Sequence, residues 1–588
     1  MRDYDLPSYE PTSVGNYPEL GIALGRGAPS IYYIPGTLIT NPSHTRQSSS
    51  DMASSFGTGV ANLEWLSPIW GSVWRWPLLL AAIWLLHTTF ITIYRLTWHP
   101  LASFPGPILA RASYMYEFWF DVILEGRYTR RIEELHREYG PIVRINPDEV
   151  ICNDPRFIDV VYPTGKEKRI KSKHYLAAVP PGLRLATVGT EDHDHHRLRR
   201  GSYVNFLSRA QIMKREQLIH EKAQQLCEKL LRYRDCGPFQ VDAAYSCFTT
   251  DALTEYCFGQ SLGNLETPGW NPSFRGTIDN ITSLFYLTRH IRALARLVDI
   301  MPLSVCRFIS TEISSLLELI RITVPQLVER AKSPNGTDAG EKAPTVVQAM
   351  LESGLPAAEK SFERITSEAI ALVLGGTHPV STTVTIATFH LLSKPEQLER
   401  LRSELRTVVS DETKLPPWST LEKLPYLNAV VLESLRLVFG VASRVSVIAP
   451  DEELLYTPAE EALGASGVKT SYRIPPGSAV GVSAYVIHNN STLFPNGEEF
   501  IPGRWLDEHG QRDRTLEKYL MSFSKGHRQC VGMHLAYCEI YIAVAALALR
   551  VWSNMKLYDT TLSDIAYDHD QLLAMPKKGS KGVRAVMH

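Results

Sequence analysis

The chain has 588 residues, 44% of them hydrophobic and 21% charged, and its formal net charge is −1. Such a composition is typical of globular proteins, and it offers no basic excess that could neutralise the phosphates of nucleic acid. We therefore expect no nucleic-acid partner. The eight cysteines form neither a CxxC pair nor a regular framework, which indicates a reducing compartment in which most thiols are buried.

The N-terminal region divides into a tail and an anchor. Residues 1–64 are rich in Ser, Pro, Gly and Tyr and lack helical periodicity, which predicts a polar, disordered tail. Residues 65–98 are predicted to form a membrane anchor. Within it, WPLLLAAIWLLHTTFITIY (76–94) has 19 residues without a formal charge, enough for most of a bilayer core of ~30 Å. A buried core helix is the alternative, but the tryptophans at 65, 70, 74 and 76 resemble an interfacial belt.

The rest of the chain begins with a proline-rich segment. HPLASFPGPILA (99–110) contains three prolines and is predicted to form a stiff, extended hinge. Residues 111–588 then show mostly amphipathic helical patterns with a few short β patterns, which predicts one large, mainly α domain with small β-sheets. The helical patterns cover residues 115–139, 208–234, 310–331, 361–393, 395–409 and 420–439. The β patterns lie at 141–152, 445–448, 472–474 and 480–485.

Two helical patterns contain unusual residues. DHDHHRLRRG (192–201) concentrates histidines and arginines at a helix start, and no second ligand set lies nearby in the sequence to support a zinc site. A basic helix end that contacts an anionic cofactor group fits better. LVLGGTHPVSTTVTIATFHLL (372–392) contains Gly375, Gly376 and Pro379. Such breakers indicate either a backbone that approaches a ligand or opens a groove, or the end of one helix and the start of another.

Glu433 and Arg436 lie three residues apart on an apolar helix, so their side chains meet on one face. Arg504, in EFIPGRWL (499–506), is a third candidate member of this group. A solvated ion pair would contribute little to stability. A buried pair would need further partners to offset its desolvation.

The stretch FSKGHRQCVG (523–532) places Cys530 among glycines and next to Lys525, His527 and Arg528. Free backbone N–H groups and positive charge stabilise a thiolate, whereas a structural cysteine prefers an apolar site. The alternative is a surface loop that contains a cysteine by chance.

Together these segments resemble the cytochrome P-450 superfamily of haem-thiolate enzymes, over about residues 76–588. Within it, the sequence is similar to the fungal microsomal branch and to its trichodiene-oxygenase-like monooxygenases. Glu433, Arg436 and Arg504 match the family's structural triad. The fixed positions of the family's haem loop are all matched, by Phe523, Gly526, Arg528, Cys530 and Gly532.

The resemblance implies the cytochrome P-450 fold behind a single transmembrane helix, with haem b bound through Cys530 as the axial ligand of iron. Phe523 would shield the sulfur, and Gly526 and Gly532 would let the loop pass close beneath the ring. The expected contacts to the haem propionates are Arg528, Arg199 or Arg200, and His488.

One segment departs from the family pattern. Where the family has Ala/Gly-Gly-x-Asp/Glu-Thr, this chain has Gly375-Gly376-Thr377-His378-Pro379, so His378 replaces the acid and Pro379 the hydroxyl. Those two groups relay protons in the family by general acid catalysis. We expect His378 to shuttle protons instead, with a water placed by Thr377, Ser381 or Thr382. His378 and Thr377 are therefore the predicted catalytic residues.

The implied function is oxidation, by hydroxylation or epoxidation, of an apolar secondary metabolite such as a terpenoid or mycotoxin precursor. Electrons would come from NADPH through a separate NADPH-cytochrome reductase, with cytochrome b5 as an optional second donor. The enzyme would be a single-pass protein of the endoplasmic reticulum membrane with its catalytic domain in the cytosol. Two alternatives remain open: a haem-thiolate enzyme that rearranges peroxides, dehydrates or couples radicals without reductive oxygen activation, and a non-catalytic membrane scaffold.

Overall fold

The structure is a computed structural model that describes residues 67–270, 285–291, 294, 296–297, 300–309, 311–332, 344–458 and 471–588. The chain divides into two units, residues 1–79 and 80–588. The tail predicted to be disordered, residues 1–64, lies outside the described residues.

The N-terminal helix, α1 (Ser67–Thr97), contains the predicted span. Its segment Trp76–Thr97 is long and apolar enough to cross a membrane, and none of its apolar window is buried against protein. Phe362–Ser393 and Met533–Arg550 also meet the length and composition criterion, but most of their apolar windows is buried. They are therefore core helices.

The second unit is mainly helical, as the sequence patterns predict. After α1, the described helices are α2 (Ile108–Ala112), α3 (Met115–Phe118), α4 (Tyr128–Tyr139), α5 (Ile158–Val161), α6 (Lys173–Ala177), α7 (His193–Gly201), α8 (Arg209–Arg232), α9 (Val241–Phe258), α10 (Leu303–Ile309), α11 (Thr311–Glu318), α12 (Val324–Lys332), α13 (Val346–Glu352), α14 (Phe362–Ser393), α15 (Pro395–Leu405), α16 (Trp418–Leu421), α17 (Pro425–Val438), α18 (Ala484–His488) and α19 (Met533–Arg550). Residues 285–290 are also helical.

The strands form small sheets at the edge of the helical core. One five-stranded sheet has the order β1-β2-β8-β5-β3, one three-stranded sheet has the order β4-β12-β9, and β6-β7 and β10-β11 pair alone. The strands are β1 (Ile142–Asn146), β2 (Glu149–Cys152), β3 (Ile170–Lys171), β4 (Phe239–Gln240), β5 (Val445–Ile448), β6 (Leu454–Tyr456), β7 (Tyr472–Ile474), β8 (Ala479–Val482), β9 (Met555–Leu557), β10 (His569–Gln571), β11 (Leu573–Met575) and β12 (Arg584–Met587).

Three element boundaries differ from the sequence prediction. Helix α2 begins inside the predicted hinge, 99–110. The pattern at 115–139 is broken between α3 and α4, because Gly126 has a φ of +86° and lies too close to the Asp570 carbonyl to carry a side chain. The β pattern at 480–485 ends early, because the Ser483 side chain accepts from the backbone N–H of Val486 and caps α18.

Helix α14 runs without a break through Pro379 for 32 residues, so the alternative of two separate helices is wrong. The two glycines before that proline have different surroundings. A Cβ on Gly376 would lie 2.8 Å from Cδ2 of Leu253 on α9, whereas a Cβ on Gly375 would have nothing within 4 Å. Gly376 therefore lets α14 pack closely on α9, and Gly375 borders open space.

Alanine substitutions should separate these two roles. Gly375→Ala should raise the midpoint of thermal unfolding, because alanine favours a helix over glycine by about 1 kcal/mol and meets no neighbour. Gly376→Ala should lower it, because overpacking against Leu253 costs about 1–3 kcal/mol and exceeds that gain. The full-length chain in detergent micelles is suitable for both measurements. Equal shifts in the two variants would contradict the assignment.

Candidate cofactor site

The loop around Cys530 is closed by its own backbone. The N–H of Cys530 donates to the Phe523 carbonyl at 2.9 Å, and the N–H of Gln529 donates to the Gly526 carbonyl at 3.1 Å. Gly526 has a φ of +69°, and a Cβ there would lie 2.6 Å from the Tyr162 carbonyl. No other residue type fits this position without moving the backbone of the neighbouring segment.

Cys530 is an exposed residue that lies just before the start of a helix. Six of the eight cysteines are buried, and only Cys236 and Cys530 are exposed. Protein nevertheless surrounds the thiol at longer range, and this burial raises the pKa of Cys530, whereas the Gly532 N–H and the charge of Arg200 lower it. Gly532 is the N-cap of α19. A helix N-terminus favours a thiolate, and a coordinated metal ion deprotonates a thiol outright.

Beside this loop lies a group of buried or half-buried basic side chains, the cationic cluster, formed by Lys171, His196, Arg200 and Arg528. Arg528 donates from Nη1 to the Thr190 carbonyl at 2.8 Å and from Nη2 to the Glu191 carbonyl at 2.7 Å. Its Nε is buried and has no hydrogen-bond partner among the described residues.

The members of the cationic cluster disfavour one another's charge. Burial and then Arg528 lower the pKa of Lys171 to about 7. Burial followed by Arg528, Lys171 and Arg200 lowers the pKa of His196 to about 2. Buried cations are ordinarily paired with anions. A ligand with carboxylates would supply the missing charge, and the propionates of haem carry this chemistry.

Arg199 and Arg200, the alternative propionate contacts, have different partners in the structure. Arg200 contacts the loop, because its Nη1 donates to the Gln529 carbonyl at 2.7 Å. Arg199 instead forms a two-point ion pair with Glu359, through Nε at 2.7 Å and Nη2 at 3.0 Å, and donates from Nη1 to Thr190 Oγ1. Of the two arginines that the sequence could not distinguish, Arg200 is therefore the one at the loop.

His488 has a different role from the predicted one. Its side chain is fully buried, its Nδ1 lies 2.8 Å from the Arg436 carbonyl, and its Nε2 accepts from the Met521 N–H at 2.9 Å. Both ring nitrogens are occupied, so neither is available for a propionate. His488 instead links α17 to the segment that leads into the Cys530 loop.

The group formed by Glu433, Arg436 and Arg504 lies in the core. Glu433 Oε1 accepts from Arg436 Nη2 at 2.9 Å and from Arg504 Nε at 3.1 Å, and Oε2 accepts from Arg436 Nε at 2.9 Å. The Ile501 N–H and Trp505 Nε1 donate to the same carboxylate at 2.8 and 2.9 Å. Burial opposes ionisation, but Arg436 and the other donors outweigh it and hold the pKa of Glu433 below its usual range.

A second candidate surface is one face of α14. Ala371, Gly375, His378 and Thr382 recur at helical spacing and are half-buried or exposed, whereas most of α14 is buried. His378 and Thr382 line a cavity of about 50 Å³ together with Asp242, Asp564 and Tyr567. One or two water molecules fit in such a volume.

Thr377 lies on the other side of α14, contrary to its predicted catalytic role. It is fully buried, its Oγ1 donates to the Val373 carbonyl at 2.9 Å, and it faces Thr250 of α9. Ser381 also faces α9 and lies 3.2 Å from Ser246. Of the three hydroxyl residues that the sequence offered, only Thr382, one turn beyond His378, lines the cavity.

These residues fit a haem. Cys530 would be the axial ligand, Gly526 and Gly532 would keep the loop close to the ring, and Arg528, Arg200 and Lys171 would bind the propionates. The unpartnered Nε of Arg528 and the excess positive charge support this fit. Lys171 was not among the residues predicted from the sequence, although it belongs to the basic run KEKRIKSK (166–173).

Removing the charge of Glu433 should disorganise the loop. Glu433→Gln keeps the shape but leaves buried guanidinium groups unpaired, which costs about 3–5 kcal/mol. We expect a large loss of bound haem in the purified chain, measured as Soret absorbance per protein. Glu453→Gln breaks the exposed Arg473–Glu453 pair and is the matched control. Normal haem content in Glu433→Gln would contradict the role of this group.

Comparison with known proteins identifies the family. A sequence model of the family described as Cytochrome P-450 matches residues 107–554. Cytochrome P-450 monooxygenase ppzE of Metarhizium majus is 43% identical over 470 residues, which is 78% of this chain and 97% of that protein. Tryptophan 6-hydroxylase fscE of Fusarium equiseti is 34% identical, with 90% of this chain and 99% of that protein covered. Cytochrome P-450 monooxygenase TRI4 of Fusarium sporotrichioides is 34% identical, with 82% and 89% covered. The resemblance found in the sequence is thus confirmed, and the chain belongs to the cytochrome P-450 family of haem-thiolate oxidoreductases.

Proposed function

We propose that the chain is a membrane-anchored monooxygenase that hydroxylates or epoxidises an apolar secondary metabolite, using O2 and electrons from NADPH. The observation that carries the proposal is the accessible Cys530 in a closed loop beside the cationic cluster. The fungal relatives are named as monooxygenases, and one is named as a tryptophan hydroxylase. A terpenoid or another mycotoxin precursor remains the expected substrate class.

The bound haem would supply oxygen activation at an iron whose thiolate ligand donates electron density. The chain's own residues would hold and orient it. Cys530 would fix the iron, Phe523 would shield the sulfur beside Tyr537, whose ring centroid is 5.0 Å away, and the cationic cluster would hold the propionates. Because Cys530 lies at the N-terminus of α19, the helix dipole would help to keep the sulfur ionised.

Proton delivery would follow the cavity beside α14. His378 would receive a proton and pass it on. Thr382 would place a water next to it, and Asp242 on the same cavity wall would accept or supply the next proton. This path replaces the usual acid and hydroxyl pair, since Pro379 has no group that can donate a proton.

Electrons would arrive on the side of the Cys530 loop. Lys518 is exposed, and Lys525 and His527 are half-buried in or near the loop. An acidic NADPH-cytochrome reductase would be complementary to these cations, and cytochrome b5 is an optional second donor. Helix α1 would place the catalytic unit on the cytosolic face of the endoplasmic reticulum, as a single-pass protein.

A second function is favoured by the sequence around Pro379. An enzyme that rearranges a peroxide, dehydrates or couples radicals would not need a relay of protons to oxygen. Such an enzyme would form its product without NADPH.

Turnover with controlled electron supply decides between the two functions. The full-length chain in lipid vesicles, with reductase and a panel of terpenoid and indole substrates, should form an oxygenated product only when both NADPH and O2 are present. His378→Ala should lower product per NADPH by roughly tenfold or more, because general acid catalysis contributes at least that much.

The exposed His509 provides the matched control, His509→Ala, which should leave the coupling of NADPH to product unchanged. Product formation at full rate without NADPH would contradict the monooxygenase proposal and support the second function.

A further inference from the structure

A group of buried charges joins three separate segments of the second unit. We call it the roof cluster: Glu117, Asp121, Arg289 and Arg444. Arg444 Nη2 donates to Glu117 at 2.9 Å and also contacts Asp121, and Arg289 Nη1 donates to Glu117 Oε1 at 3.0 Å. His174 Nε2 lies 3.0 Å from the same carboxylate. Most contacts to the two carboxylates thus come from groups other than Arg289.

One edge of the Arg289 guanidinium group, formed by Nε and Nη2, makes no hydrogen bond to the described residues. Only its Nη1 contacts the carboxylates, at 3.0 Å from Glu117 and 3.7 Å from Asp121. Its Nε and Nη2 are buried and have no hydrogen-bond partner among the described residues, although its side chain is only 2% exposed. An unpaired buried guanidinium edge costs stability, so it calls for a physical explanation.

The same edge binds carboxylates elsewhere in this chain. Nε and Nη2 together hold the two oxygens of a carboxylate in the pairs Arg199–Glu359, Arg436–Glu433 and Arg512–Glu517. This planar, two-point arrangement is the preferred way for arginine to bind a carboxylate. Nε and Nη2 of Arg289 thus form the same kind of edge, but among the described residues no carboxylate occupies it.

The guanidinium group of Arg289 lies against aromatic side chains. The guanidinium carbon of Arg289 lies 5.1 Å from the ring centroids of both Phe285 and Tyr286. These rings form an apolar cluster with Tyr175, and Leu572 packs against it. Leu572 lies between β10 and β11, and Ala574 and Met575 of the same hairpin line the cavity beside His378. The hairpin thus reaches from the cavity at α14 to the aromatic cluster next to Arg289.

We infer that Arg289 recognises a carboxylate group of the substrate through its Nε and Nη2 edge, with the rings of Phe285, Tyr286 and Tyr175 contacting the apolar body. This inference rests on the proposed monooxygenase function and narrows its substrate class. The substrate is then an apolar or aromatic acid rather than a neutral hydrocarbon.

Binding to the haem-loaded, full-length chain tests the inference without turnover. The probes are indole-3-propionate, 3-phenylpropionate and decanoate, each compared with its primary amide. Affinity is measured from the Soret shift and from the rise in the thermal unfolding midpoint. At least one acid should bind roughly 10- to 100-fold more tightly than its amide, the range expected for a charge-assisted two-point contact.

Arg289→Met should abolish this preference, and Arg289→Lys, which keeps the charge but not the planar edge, should retain only part of it. Arg307→Met removes an exposed arginine and should preserve the full preference. The thermal unfolding midpoint without ligand shows whether each variant is folded. If Arg289→Met is not folded, the acid preference of Arg289→Lys tests the inference.

Equal binding of acids and amides by the unsubstituted chain would overturn the inference, as would an acid preference that survives Arg289→Met. Stabilisation by acetate equal to that by the larger acids would identify a general anion site and would likewise overturn the assignment to substrate. NADPH-dependent oxidation of a neutral substrate without any acid preference would leave the monooxygenase proposal intact while removing the role of Arg289.

Discussion

The buried carboxylate of Glu433 is the interaction on which the cofactor loop depends. It lies on α17 and is fully buried, a position in which an uncompensated charge would be very costly. Donors from Arg436, Arg504, Ile501 and Trp505 satisfy both of its oxygens. These contacts attach Ile501 and the 3-10 helix Pro502–Trp505 to α17.

Further hydrogen bonds connect this group to the segment before Cys530. Arg436 also donates to the carbonyls of His488 and Glu499, at 3.0 and 2.9 Å. The ring of His488 then connects the Arg436 carbonyl to the Met521 N–H, two residues before the loop begins. Each link is a hydrogen bond inside the core, where such bonds are strong and costly to break. The position of Cys530 is thus determined by a charge that lies outside the loop.

The two sides of the site have opposite electrostatic character. The cationic cluster beside the loop has more basic than acidic side chains among the described residues and is suited to the propionates of a haem. The cavity beside α14 contains Asp242 and Asp564, together with His378 and Thr382, and is suited to the movement of protons. Helix α14 can present this face because Gly376 packs against α9 while Gly375 leaves open space.

The sequence predicted the fold and the family well, because hydrophobic periodicity and the spacing around Cys530 are local properties. It also predicted which residues accompany Glu433. It could not distinguish Arg199 from Arg200, since adjacent residues on a helix point in directions that depend on tertiary packing. For the same reason it assigned a catalytic role to Thr377, whereas Thr382 shares the cavity with His378.

The prediction for His488 failed for a different reason. A histidine beside an expected anionic group suggests a contact with that group, but the hydrogen bonds to Arg436 and Met521 join segments far apart in the chain. The unpaired Nε and Nη2 of Arg289 could not be predicted from the sequence either, because hydrogen-bond partners are known only after the chain has folded. Long-range pairing of this kind leaves no periodic or motif signal in a single sequence.

The absorbance of the reduced, carbon monoxide-treated protein tests the central claim most directly. The account predicts the strongly red-shifted band of thiolate ligation for the unsubstituted chain and for Cys236→Ser, which alters the other exposed cysteine. It predicts loss of that band in Cys530→Ser. Retention of the band in Cys530→Ser, or its absence from a chain that is fully loaded with haem, would contradict the claim.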